Sequence, residues 1–473
     1  MTRETAILVA LIAYLLGVLA LGWVAKTRTR NAAGFYLGGR TLGPWVAALA
    51  ANASSSSAWS LVGVSGFAYL QGLGAVWLLP GCLGGFLINW LLVAPRLRDR
   101  TGSAVTLTEF LAGPAGERGR TAVVVFASLL TLACLLTYVA SQMQAAESAF
   151  RHAFGTSPET GVAIGAVITV LYTLLGGYLA VSLTDTIQGV LMALVAIAVP
   201  VAAVLHFGGP DAFATAIEGV DGAGYASIFG SREGTAAAGF AMALCGIGLG
   251  YPGQPHAVNK YMGMAPGASM TVARTVGIGW AVTLYAGMLV TGWAARAAWP
   301  VAVGAHEDAL FAASQNLFPP LVDGLVIAAV LAAVMSTVDS QLLVCASCVT
   351  HDLRLSPRTE KGMLATARIT VLTIGSGAVA AALLVEKNVF DNVLFAWAAL
   401  GSAFGPLLLV RLFVGAVRPP WALLAMITGG GSAIAAFYLP AAWQLLGKGF
   451  CDRVLSWLAA LAIAWLGARR SRS

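Results

Sequence analysis

In 473 residues the chain carries 59% hydrophobic side chains and only 10% charged ones, with 55 glycines and 13 tryptophans. No single soluble core needs that balance, so the chain reads as a polytopic membrane protein. Its formal charge of +7 divides unevenly between loops, so it reports orientation in a bilayer, and nucleic acid is not an expected partner.

Thirteen apolar stretches predict membrane-crossing helices, at about 5–24, 43–69, 72–94, 121–149, 159–176, 183–206, 235–255, 275–299, 320–349, 364–386, 391–415, 419–440 and 453–468. Each is long enough to cross a ~30 Å hydrocarbon layer as a helix. Their continuous rather than alternating hydropathy excludes a β-barrel. The first stretch has no small-residue cleavage site and runs into the basic segment Lys26–Arg30, so it reads as a helix and not a signal peptide. The connecting segments, the longest being 207–234 and 97–120, are too short for a second domain. The chain therefore reads as one transporter domain over 1–473: an extra helix and loop at 1–42, repeats at 43–206 and 235–416, and closing helices at 417–473.

Two stretches are interrupted. The second holds Ala51-Asn52-Ala53-Ser54-Ser55-Ser56-Ser57, and the seventh holds Gly246-Ile247-Gly248-Leu249-Gly250-Tyr251-Pro252-Gly253-Gln254-Pro255. They lie five spans apart, so the two broken helices run in opposite directions, as in an inverted repeat of spans two to six against seven to eleven. Small residues also serve close helix packing in membranes, and Pro-Gly can be a simple kink. What favours a transport pathway is the matched pair of breaks together with a polar run in the ninth span, Met335-Ser336-Thr337-Val338-Asp339-Ser340-Gln341. Asp339 lies where an ionised group is most costly and needs a partner. No Lys or Arg stands near it in sequence, so a small cation from solution is expected.

In inverted-repeat transporters the carbonyls of an unwound helix face hydroxyls on a later core helix. Here the carbonyls of Ala53 and Ser56 would face the carbonyl of Ala333 and the hydroxyls of Ser336 and Thr337. Five neutral oxygens suit Na⁺ as the coupling ion, while H⁺ and Li⁺ stay open. Asp185, in Ser182-Leu183-Thr184-Asp185, has two readings: a solvated residue at a span end, or a partner of Asp339 and Ser340 in a second cation site. The solute is expected beside the breaks, where half-helix amides can hold an anionic group. Its candidate walls are Ser55, Ser57, Trp59, Tyr138, Gln142, Ile247, Tyr251 and Trp397, enclosing a space suited to an amino-acid-sized solute.

Enzymatic readings find no support. The five histidines fall at no metal-ligand spacing, His256 being expected at a cytoplasmic mouth, and no phosphate-binding Gly-rich motif occurs. Cys345 and Cys348, one turn apart on an apolar helix, read as packing residues. With the N-terminus outside, 20 of the 27 basic residues fall on the inner side, Lys260 among them, and this selects N-out, C-in in a bacterial-type inner membrane.

Five motifs in order, Tyr36–Val46, Gly176–Gln188, Gly248–His256, Ala332–Val344 and Trp397–Pro406, resemble the sodium:solute symporter family, within it the proline-transporting branch. The resemblance spans nearly the whole chain. It implies an all-α membrane protein of about thirteen helices on a leucine-transporter-type core with a 5+5 inverted repeat and alternating access. It also implies Na⁺ at Ala53, Ser56, Ala333, Ser336 and Thr337, and solute-side roles for Trp59, Tyr138, Tyr251 and Pro255. Ser55 stands where proline-transporting members carry Asp, and Ile247 where they carry Trp. The expectation is a sodium-coupled symporter importing a small organic solute, foremost an amino acid such as proline, by alternating access. The rival readings are proton coupling, a carboxylate or sugar-acid solute, or a sensor, which would need a signalling domain that the short tail after Leu466 leaves no room for. Nothing in the sequence fixes the oligomeric state.

Overall fold

The computed structural model describes residues 2–26, 40–102, 104–175, 178–222, 224–357, 359–439 and 446–470. The basic segment 27–30, residues 36–39, Gly176 and Gly177, all used above, lie outside the described residues. Among the described residues eleven helical stretches are long and apolar enough to cross a membrane. One of them, Pro44–Arg100, is 57 residues long and accounts for two of the expected thirteen spans. A shorter apolar helix, Pro158–Leu175, supplies the remaining one.

The helices that matter for function are α1 (Arg3–Lys26), α2 (Pro44–Ala58), α3 (Val64–Gln71), α4 (Leu78–Leu87), α5 (Arg120–Phe154), α6 (Tyr178–His206), α7 (Gly234–Cys245), α8 (Pro255–Met262), α9 (Met270–Ala298), α10 (Pro320–Ser347) and α11 (Val389–Phe413). A turn with wider, π-type spacing at Trp59–Gly63 joins α2 to α3, and a 3₁₀ segment at Gly246–Gly253 joins α7 to α8. Both interruptions fall where the sequence placed them.

Side-chain spacing shows which face of each helix meets the core. On α6 the apolar residues Ile187, Val190, Leu194, Ile197, Val201 and Leu205 are exposed at intervals of three and four, while Asp185, Gln188, Met192, Val195 and Val199 are buried. The exposed stripe suits hydrocarbon, and the polar residues are turned inward. From Val326 to Leu342 every residue of α10 is buried, and most of α11 is too. These two helices, with α2 and the 3₁₀ segment, form the centre of the bundle.

Gly72 ends α3 with φ of 58°, and a Cβ there would lie 2.1 Å from the Tyr225 carbonyl oxygen, so only glycine fits this turn. Gly253, at the second break, would bring a Cβ to 2.6 Å from Gly401 Cα on α11. Backbone meets backbone there, with no side chain to swing aside. Gly253→Ala is therefore expected to lower stability in detergent by about 1–3 kcal/mol, whereas Gly84→Ala, whose Cβ meets nothing within 4 Å, leaves it unchanged. Equal thermal unfolding midpoints for the two variants would rule out a tight approach of the second break to α11.

Candidate functional site

The first break is concentrated at Ser57, a non-glycine residue held at φ 56°, ψ −179°. That conformation costs of order 1–3 kcal/mol and persists only when its surroundings impose it. It also frees amide groups that no water reaches at this depth. The Ala58 N–H donates to Gln142 Oε1 on α5 at 3.1 Å, and the Trp59 N–H donates to Ser57 Oγ at 3.1 Å. Tyr138, one turn before Gln142 on the same face of α5, donates its hydroxyl to Ser57 Oγ at 3.3 Å. The second break is closed by Gln254, whose Nε2 donates to the carbonyls of Gly250 and Trp397, each at 3.1 Å. Trp397 Nε1 returns a bond to the Ile247 carbonyl at 3.0 Å.

About three helix turns upstream of its end at Ser347, α10 presents its hydroxyls to α2. Ser336 Oγ lies 3.3 Å from the Ala53 carbonyl and 3.2 Å from that of Ala333. Thr337 Oγ1 donates to the Ser54 carbonyl at 3.2 Å. Four of the five expected oxygen donors thus gather where α2 crosses α10. Ser56 departs from expectation: its carbonyl accepts the Trp59 N–H inside its own turn, and the carbonyl facing Thr337 is that of Ser54. The reason is local, because the chain turns left-handed at Ser57 and the carbonyls just before it are drawn back into the helix end.

Ser55, Trp59, Tyr138, Ile247, Tyr251 and Trp397 line one small cavity with about 10 Å³ of water-accessible space, and Val393 and Leu394 complete it. Six of the expected solute walls are therefore brought together. Ser57, bonded to Tyr138, and Gln142, bonded to the Ala58 amide, are outside the lining, and so is Pro255, buried at the start of α8. Val393 and Leu394 escaped the sequence reading. The available signal was their position three and four residues before Trp397, which puts all three on one face of α11. Above the cavity Trp59 stacks on Phe390, with ring centroids 5.4 Å apart, and Phe390 stacks on Phe67 at 4.5 Å. Glu307 Oε1 accepts the Phe390 N–H at 2.9 Å. Beside this lid, Arg151 bridges Glu147 at 3.1 Å and Asp308 at 2.9 Å, and Lys387 pairs with Glu147.

Asp185 is fully buried eight residues into α6, so the solvated reading of this residue is wrong. Its Oδ2 accepts from Ser54 Oγ at 3.1 Å and from Ser340 Oγ at 3.4 Å. It also accepts from Lys260 Nζ on α8 at 2.9 Å. The expectation that no basic residue stands near the polar run is thereby overturned, and so is the placing of Lys260 among the surface charges, since its side chain is only 2% exposed. The short, weakly apolar α8 carries it inward from the break instead of ending at the surface. Asp339 is fully buried beside Ser340, within electrostatic reach of Asp185 and Lys260. His256, expected at an open mouth, is buried one turn from Lys260 on the wall of a narrow crevice that also reaches Thr106, Asn259 and Ser340.

The sequence profile of the sodium:solute symporter family matches residues 35–429. The chain belongs to that family. It is a sodium-coupled symporter of solutes and not an enzyme, and a multi-pass membrane protein. Among family members it is 35% identical to the sodium/proline symporter of Escherichia coli K12, over 92% of this chain and 88% of that protein. It is also 35% identical to the osmoregulated proline transporter OpuE of Bacillus subtilis, over 90% of this chain and 88% of that one. In structure it resembles a Na⁺-coupled sialic acid symporter in a substrate-bound, outward-open state, with a TM-score of 0.80 at 19% identity over 99% and 98% of the two chains. Mhp1, a nucleobase-cation-symport-1 family transporter, follows at 0.57 and 15% identity over 94% and 96%. The fold is thus the leucine-transporter-type core with its inverted repeat, bearing the thirteen spans described above.

Because Gln142 supplies the acceptor for a freed amide at the strained break, Gln142→Leu is expected to reduce thermal stability by about 1–3 kcal/mol, while Gln142→Glu, which keeps an acceptor, loses less. Indistinguishable melting of the Leu and Glu variants in detergent would mean that this bond does not hold the break.

Proposed function

We propose that this symporter carries a small amino acid of the proline type together with Na⁺, the ion held by Ala53, Ala333, Ser336, Thr337 and the neighbouring α2 carbonyls, with Ser56 joining when α2 moves. The supporting observation is the convergence of Ser336 Oγ on two carbonyls from different helices at 3.2–3.3 Å. A neutral oxygen cluster between two helices attracts a hard monovalent cation and needs no proton chemistry. Filling it ties α10 to α2 beside the break, and the same α2 carries Ser55 and Ser57 to the solute cavity. Ion and solute thus act on one element, which is the requirement for coupling.

The proline reading rests on the named relatives and on the aromatic walls Trp59, Tyr138, Tyr251 and Trp397, which suit a compact ring. Ser55 and Ile247 mark the difference in solute preference, since a hydroxyl in place of a carboxylate and an aliphatic wall in place of an indole change both charge and shape. The contracted cavity requires the Trp59–Phe390–Phe67 stack to part before solute enters. Single-domain organisation with repeats at 43–206 and 235–416, and an N-out, C-in orientation in a bacterial inner membrane, belong to the same reading.

Counterflow in proteoliposomes should show labelled proline or a close analogue exchanging only with Na⁺ present; exchange equal in Na⁺ and choline would reject Na⁺ coupling. Losing either hydroxyl, as in Ser336→Ala or Thr337→Ala, should raise the Na⁺ concentration for half-maximal uptake roughly ten- to a hundredfold, one lost contact being worth about 1–3 kcal/mol, and the double variant should raise it further. An unshifted Na⁺ activation curve would place the ion elsewhere. Ser55→Asp with Ile247→Trp should redirect a competition panel towards proline, and an unchanged profile would show that neither residue faces the solute.

A further inference from the structure

The cluster around Asp185 has the make-up of a cation site, yet a cation of the protein's own already fills it. Lys260 Nζ lies 2.9 Å from Asp185 Oδ2 and 3.2 Å from Ser182 Oγ, and stands 5.0 Å from the centre of the Tyr178 ring. A carboxylate, a hydroxyl and an aromatic face are three kinds of group that stabilise an ammonium. Ser54 and Ser340 complete the carboxylate's shell from α2 and α10. Asp339 adds a second acidic group within reach, with Tyr14 of α1 and Tyr172 around the same cluster. Ion pair and shell are buried, with Asp185 and Ser54 at 0% exposure and Lys260 at 2%.

We propose that the Lys260 ammonium acts as a tethered cation at Asp185, taking the place of a second coupling Na⁺, so that one Na⁺ and one net charge cross the membrane per solute. The inference rests on the sodium-coupled reading above and fixes its stoichiometry. A free Na⁺ can bind Asp185 Oδ2 only by displacing an ammonium attached to the same chain, whose effective concentration is of the millimolar order or higher however dilute the bulk ion. Lys260 rides on α8, the half-helix after the second break, while Asp185 rides on α6 and Ser54 on α2. The ammonium therefore joins the elements of both broken helices and moves with them, where a bound ion would be released.

The test counts bound ²²Na⁺ per chain on the purified full-length protein in nanodiscs and measures charge moved per solute in proteoliposomes. The wild type should bind one Na⁺ and move one charge. Lys260→Met, of similar length and uncharged, should open Asp185 to the bulk ion and bind two, with the Hill coefficient for Na⁺ rising from about 1 towards 2; Lys260→Arg should stay at one. Two Na⁺ or two charges in the wild type overturns the proposal alone, and this measurement decides even where Lys260→Met fails to fold. A folded, monodisperse Lys260→Met protein that still binds one Na⁺ also overturns it. A wild-type count of zero overturns the sodium reading beneath it, and the proposal with it.

Discussion

Backbone amides and carbonyls freed inside a bilayer have no water to turn to, and the architecture of this protein follows from satisfying them. The left-handed turn at Ser57 interrupts α2, and α5 answers with Gln142 and Tyr138 while α10 answers with Ser336 and Thr337. Of the helices that make these bonds, α10 is the one packed at the centre. The same carbonyls that would be a liability in a lipid-facing helix are, in the proposed ion site, ligand positions covered by α10. Structural need and ion chemistry therefore coincide in a few residues, and the first cannot be altered without disturbing the second.

The cavity proposed for the solute is flanked by two kinds of closure. On one side an aromatic stack, Trp59, Phe390 and Phe67, is held by the Glu307 bond to the Phe390 amide and flanked by the Arg151, Glu147, Asp308 and Lys387 cluster. Aromatic faces can slide apart at modest cost, while the charge cluster favours one register of the surrounding loops over others. On the other side closure is polar: Lys260, Asp185, Ser54 and Ser340 lock α8, α6, α2 and α10 around a crevice. Such groups hold well only when fully paired, so a small rotation of α8 exchanges a satisfied network for a hydrated one.

Sequence alone located both breaks, the polar run on α10 and six of the eight residues lining the aromatic cavity between them, because each is a local departure from an apolar helix. Composition marks such departures directly. Val393 and Leu394 carried no such mark, being apolar residues in an apolar helix whose importance comes only from the face they share with Trp397. The carbonyl of Ser54 in place of that of Ser56 was equally hidden, since it depends on where within four consecutive serines the backbone turns. Lys260 misled in the opposite way. A basic residue at the end of a hydropathic stretch normally belongs to the surface, and only the meeting of α8 with α6, 75 positions apart in sequence, shows that it does not.

A cation that is covalently attached sets a ceiling on accumulation. Each charge that crosses with the solute draws about 2.3 kcal/mol from a 100 mV potential, roughly a fiftyfold concentration ratio, before any sodium gradient is added. With Lys260 retained in the protein, one such factor is available instead of two. The carrier then concentrates its solute less steeply, but it resets without waiting for a second ion to find its site when sodium is scarce. This suits scavenging at low salt better than extreme enrichment.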